Sequence, residues 1–242
     1  MNKKVKILLI ILLTISVVGL LLFFLFKKQS VLDIINKTEY RGSKTPNDYK
    51  NIPPEGRPFN QNELDLINDP KYQRVKDKAV KMGYRFTYEV PNANMEYVDG
   101  KMLTKKTKDS FNEMKRDLEI ETGKEIYIGS GYRSVNRQYS IMQSNLPSNF
   151  NDGDIVDYLD GKSYPGTSTH HTGRAIDICV NNDSFGGCLN KSYWTNGNGK
   201  KAYTWLKENA KNYGFKLTYP ENAIDLKIGA EFEPWHWEYI GN

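Results

Sequence analysis

All three histidines of this 242-residue chain fall in two short segments, Ser168 to Asp177 and Glu233 to His236. A site built from both must bring together residues about sixty positions apart, which constrains the fold more than any local periodicity. Zinc is held by imidazole nitrogen and carboxylate oxygen, and a hydrolytic site uses three protein ligands, leaving a fourth position for water. His170, Asp177 and His236 supply such a set. Glu233 is a carboxylate three residues from a ligand, placed to take a proton from that water. The residues alone leave a plainer reading open, in which the histidines are hydrogen-bonded structural groups. Gly173 and Ala175 would then be small only where backbones pack closely. No HExxH is present, so the pattern differs from a helix that offers two histidines on one face.

Ser168, His170, Gly173, Ala175 and Asp177 fit SxHxxGxAxD, and Glu233 to His236 fit ExxH with Trp235 before the histidine. Ser130-Gly131-Tyr132-Arg133-Ser134 with Gln138 forms a third segment, SGYRS...Q. Together these resemble the signatures of the LAS metallopeptidases, in particular the VanY-like D-alanyl-D-alanine carboxypeptidases and their L,D-carboxypeptidase relatives. The likeness runs from about Leu103 to Gly241 and takes in Tyr213-Gly214-Phe215 and Tyr219-Pro220.

The resemblance implies roles. His170, Asp177 and His236 would bind Zn2+, and Glu233 would act as general base, then donate the proton to the leaving amine. Arg133 would grip a substrate carboxylate or oxyanion through two hydrogen bonds, which an ammonium cannot mimic. Gln138 and Ser168 would either hydrogen-bond the peptide or hold a loop. Trp235 and Trp237 are expected to pack around the site. Three positions depart from the family pattern: His171 stands where relatives often carry glutamine, Thr218 where an arginine often precedes Tyr-Pro, and Glu238 in a WHxRY context. Losing two cations leaves the fine substrate preference open.

Lys3, Lys4 and Lys6 precede Ile7 to Phe26, twenty residues without a charge, and Lys27-Lys28 close the run. As a helix it would span about 30 Å, the hydrocarbon thickness of a bilayer. No A-x-A site and no lipobox cysteine follow, which favours an uncleaved anchor over a secretory signal. Lysines flank both ends, so orientation rests on the wall-directed activity that the resemblance implies. Residues 1–28 read as membrane anchor, 29–58 as a polar stalk rich in proline and glycine, and 59–242 as one folded domain outside the cell membrane. The anchor region holds five lysines and no acid, so the remainder has 29 basic against 29 acidic residues. The net charge of +5 is thus a membrane-flank feature and gives no nucleic-acid footprint. Oligomeric state is not legible.

Within the domain, Glu63 to Met82 suggests helix broken near Asp69-Pro70, and Tyr84 to Val90 alternates like a strand. Thr104 can cap a helix to about Thr122, with Phe111, Met114 and Leu118 on one face and Gly123 as its stop. Ile126 and Ile128 mark a strand, Ser134 to Gln143 a helix, and Lys201 to Tyr213 a helix ended by Gly214. Asp177 to Cys179, Phe215 to Thr218 and Phe232 to Ile240 read as strands, the last two as a late hairpin. The expected class is α+β, with a central antiparallel sheet flanked by helices. Cys179 and Cys188 are the only cysteines. Outside the membrane they can form a disulfide; the alternative is a buried Cys179 and a free Cys188.

The functional expectation is a membrane-anchored zinc D,D-carboxypeptidase that removes the C-terminal D-Ala from peptidoglycan stem peptides or precursors. An L,D-carboxypeptidase or a peptidoglycan endopeptidase could use the same residues. A non-catalytic wall-binding domain is the contrasting class, but such a module has no need of Glu233.

Overall fold

The strand β4 (Ala175–Val180) is buried along its whole length. It lies inside a four-stranded antiparallel sheet of order β3-β4-β6-β5, with β3 (Ile126–Ser130), β6 (His236–Tyr239) and β5 (Phe215–Leu217). Side chains along a strand alternate between faces. Ile176, Ile178 and Val180 therefore share a core with Ile126, Ile128, Trp237 and Tyr239. Asp177 and His236 are left to the opposite face.

These coordinates are a computed structural model, which describes residues 42–46, 52–181 and 183–241. Ile7 to Phe26 lie outside the described residues, among which no helix is long and apolar enough to cross a membrane. Ser43 pairs with Phe86 and Arg57 with Glu89, so these described parts of the 29–58 stretch lie against the domain.

The sheet's apolar face is covered by α3 (Lys105–Thr122), through Phe111, Met114 and Leu118, and by α8 (Lys200–Asn209), through Ala202, Trp205 and Leu206. Gly123 ends α3 in a left-handed conformation, φ 65°. Thr104 stands at the N-cap of α3, but its hydroxyl bonds the Thr107 hydroxyl at 2.8 Å instead of a backbone N–H.

A second apolar cluster joins α1 (Gln61–Ile67), α2 (Gln73–Met82), α4 (Val135–Asn145) and α5 (Asp152–Gly161). The expected break between α1 and α2 is present, with a 3-10 turn at Pro70–Tyr72. Three expectations are corrected. Tyr84 to Val90 makes only isolated bridges, because the segments it meets at Ser43 and Arg57 are not continuous with each other. The strand expected over Phe232 to Ile240 is confined to β6, since Glu233 accepts a turn bond from the N–H of His236 at 3.1 Å. β5 and β6 do pair, but their connection contains α9 (Ala223–Leu226), so it is no tight hairpin.

Besides α9, five elements had not been expected. They are the hairpin of β1 (Met95–Val98) with β2 (Lys101–Thr104), the helix α5, and the short helices α6 (Phe185–Cys188) and α7 (Lys191–Thr195). Cys179 and Cys188 are disulfide-bonded, their Cα atoms 5.5 Å apart, and tie β4 to α6.

Candidate metal centre

Strand pairing places Asp177 of β4 directly opposite His236 of β6 and Ser130 of β3. His170 arrives from the 3-10 turn Thr169–Thr172, which Gly173 closes at φ 62° before the chain enters β4. A left-handed residue here is what glycine tolerates best. His170 Nε2 lies 3.2 Å from Asp177 Oδ2, and His236 Nδ1 lies 2.9 Å from Asp177 Oδ1. One donor atom from each of the three residues falls within 4.8 Å of the other two.

The outer atoms of both imidazoles are anchored. His170 Nδ1 is 2.7 Å from the Gly131 carbonyl, which can only accept, so Nδ1 carries the proton and Nε2 keeps its lone pair. His236 Nε2 meets the Thr169 hydroxyl at 2.9 Å, leaving Nδ1 inward. Asp177 Oδ1 is buried and, despite its short approach to His236, makes no aligned hydrogen bond. Two nitrogens and a carboxylate oxygen converging in this way fit Zn2+ in donor type and number. The anchoring of each imidazole by a further partner also suits ligation.

Burial opposes charge on Asp177, but the adjacent His170 and His236 outweigh it and hold the carboxyl well below the usual carboxylate range. Burial pushes Glu233 up to about 7 against the pull of His236. Its Oε2 lies 3.6 Å from His236 Nδ1, so it adjoins the three converging groups. A carboxyl near 7 can accept and return a proton at neutral pH.

Arg133 is 24 % exposed at its side chain and reaches the same face. Its Nη2 is 4.0 Å from Asp177 Oδ2 and donates to Ser130 Oγ at 3.1 Å, while Nη1 donates to Gln138 Oε1 at 2.9 Å. Gln138 is wholly buried, and its Nε2 donates to the Ser163 carbonyl at 2.7 Å. Its amide thus holds Arg133 and a loop together. Ser168 is also buried, and its carbonyl accepts the His171 N–H at 3.1 Å.

One positioning residue, Ser130, was missed from the sequence, and His171 was expected only in a supporting or surface role, not as a ligand. Ser130 steadies Arg133, and its place in β3 opposite Asp177 is visible only from strand register. His171 is buried, with Nδ1 donating to the Arg133 carbonyl at 2.6 Å and Nε2 accepting the Gly166 N–H at 3.0 Å. It braces the arginine loop where relatives were expected to use glutamine. Glu238, one of the departures from the family pattern, pairs with Lys216 at 3.5 Å across β5 and β6. Trp237 is buried in the core, and Trp235 packs partly buried against it.

Several known proteins are similar to this chain. YodJ of Bacillus subtilis (strain 168) is 33% identical over 146 residues, covering 60% of this chain and 49% of that protein. A D-alanyl-D-alanine carboxypeptidase of Enterococcus faecalis (strain ATCC 700802 / V583) is 30% identical over 119 residues, covering 47% of this chain and 40% of that protein. The match thus spans about half or less of the length of the curated relatives. Among solved structures, the LdcB LD-carboxypeptidase is 32% identical, with a TM-score of 0.49 over 60% of this chain and 63% of that one. The family model described as "VanY: D-alanyl-D-alanine carboxypeptidase" matches residues 100–242, more than half of the chain and all of the residues that meet at this centre, so the chain belongs to the VanY family.

Proposed function

We propose that the domain is a zinc D,D-carboxypeptidase acting on peptidoglycan stem peptides or precursors. The observation that supports this most is the convergence of His170, Asp177 and His236 beside Glu233, with Arg133 facing the same space. The proposed organisation is residues 1–28 as anchor, 29–58 as stalk and 59–242 as an outward-facing domain.

His170, Asp177 and His236 would hold the metal through Nε2, a carboxylate oxygen and Nδ1. Bound zinc lowers the pKa of water from 15.7 to about 7 and polarises a carbonyl. Arg133 keeps further N–H donors beyond those given to Ser130 and Gln138, and these would pair with the free carboxylate of a C-terminal D-Ala. Gln138 and His171 fix the direction from which that guanidinium arrives. Glu233 would take the proton of the attacking water at a carboxylate oxygen and give it to the amine of the leaving D-Ala. Its burial, which opposes the charged carboxylate, favours taking up that proton.

The test is product analysis on defined tri-, tetra- and pentapeptide stems, with and without chelator, together with a C-terminally amidated pentapeptide. A D,D-carboxypeptidase releases one D-Ala from the pentapeptide, loses activity with chelator, and cuts the amide on the order of a hundredfold more slowly. Equal rates on free acid and amide, or faster cutting of cross-linked dimers, would make it an endopeptidase. Preferential cutting of the tetrapeptide would make it an L,D-enzyme.

A further inference from the structure

β3 carries one residue more than β4 where the two strands approach the metal centre. Ile128 stands opposite Ile178 but Ser130 opposite Asp177, so Gly129 is the extra residue of a bulge. Bulges re-aim side chains beside functional sites. Here the bulge presents a bare Cα to an aromatic ring. A Cβ on Gly129 would fall 1.9 Å from Phe185 Cδ2 and 2.2 Å from Cε2, so any side chain there would displace the ring. Ser130, the next residue, accepts from Arg133 Nη2 at 3.1 Å. The Phe185 ring is thus seated one residue away from the group that steadies Arg133.

The segment bearing Phe185 is tied down on both sides. Cys179 lies two residues beyond Asp177 on the same face of β4, and its disulfide to Cys188 holds α6 over that face. The Tyr127 hydroxyl donates to the Asp183 carbonyl at 2.9 Å, and Trp194 Nε1 to the Cys188 carbonyl at 2.7 Å. At the start of α7, Lys191 pairs with Glu231, two residues before Glu233. The arm from Asp183 to Lys191 therefore meets β3 beside Ser130, β4 beyond Asp177, and the segment that carries Glu233. Phe185 packs against the core yet stays only partly buried.

We propose that Phe185 is a specificity-determining residue, the apolar wall that limits the side chain of the substrate's C-terminal residue to about a methyl group. The proposal rests on the carboxypeptidase reading, which places the carboxylate of that residue at Arg133. A residue held there lies beside the ring on Gly129. A methyl group gains contact with the ring, whereas a longer side chain would have to displace a group that the disulfide and the core keep in place. The wall selects by bulk and supplies neither charge nor hydrogen bond.

The test measures kcat/KM of the full-length chain on two pentapeptide stems that differ only in the last residue, D-Ala or D-Leu. The parent should prefer D-Ala by about a hundredfold or more, since a pocket discriminates about tenfold or more for each methylene that it cannot admit. Phe185→Ala should raise the rate on D-Leu relative to D-Ala at least about tenfold, with zinc content by metal analysis unchanged. Phe185→Leu, which keeps an apolar group on Gly129, should shift the ratio less in the same direction, and it serves if the alanine variant folds poorly. A general loosening would lower the rate on both stems alike and leave the ratio where it was. An unchanged ratio in a folded variant, or a parent that cuts both stems equally fast, overturns the proposal. Failure of the carboxypeptidase reading would look different: the parent would free no terminal residue from either stem, and the proposal would fall with that reading.

Discussion

Glu233 differs from the residues around it in one respect: it adjoins the converging donors without being one of the three. Glu233→Ala should therefore retain zinc, measured by metal analysis of the purified protein, and lose at least about a hundredfold in kcat. A variant that loses both would assign Glu233 to metal binding instead. The convergence of His170, Asp177 and His236 was legible because metal chemistry restricts residue type so severely. His171 was legible only as a group outside that set, because its bracing role comes from two backbone groups, the Gly166 N–H five residues away and the Arg133 carbonyl 38 away. Glu89 was silent, since nothing about an isolated glutamate announces burial. Its carboxyl, ordinarily at 4.5, stands at about 8 in the folded chain, so the folded state binds more protons between those values. Its neutral form suits the fold, and stability should fall as pH rises from about 4.5 to 8 and then level off. Glu89→Gln removes that loss. Thermal unfolding should show the variant more stable than the parent at pH 8, by on the order of a few kcal/mol, and little different near pH 4.5. A gain of the same size at both pH values would mean the carboxyl is not held neutral.

At the scale of elements, α3 and α8 were readable from apolar spacing, and Gly123 and Gly214 from their power to end helices. The β1–β2 hairpin carried a signal that went unused, Asp99-Gly100 between its strands. The same holds for α5, whose Asn151 and Asp154 form a reciprocal cap. Tyr84 to Val90 misled for a physical reason: alternation reports a half-buried extended segment, and whether a ladder forms depends on partners elsewhere in the chain. The disulfide belongs to this scale too. It closes a loop of nine residues' separation and fastens α6 to the strand that carries Asp177. Chain-entropy arguments give such a loop about 2–3 kcal/mol. Cys188→Ser should lower the unfolding temperature by several degrees in non-reducing buffer, while reductant should remove most of the difference from the parent. A variant as stable as the oxidised parent would show that packing alone orders α6.

For the whole molecule, the uneven charge still asks for an explanation: five lysines bracket an uncharged run, and the rest of the chain is formally balanced. If Ile7 to Phe26 is an uncleaved anchor, the full-length mass should sediment with membranes and resist extraction by salt and alkali. External protease should then release a fragment beginning beyond Lys28. Recovery of a soluble form starting near Ser30 would instead make the run a cleaved signal. At this scale the α+β class and the antiparallel sheet were legible, while the division of the helices between two apolar clusters was not. The direct opposition of Asp177 and His236 has a consequence for how the molecule is made. A one-residue slip of β6 against β4 would bring Trp237 to the place of His236 and turn the imidazole into the apolar core. A chain misassembled in this way could not hold a metal through these three groups. Zinc retained per chain after refolding would then count the molecules whose sheet closed correctly, making the site a proofreader of its own scaffold.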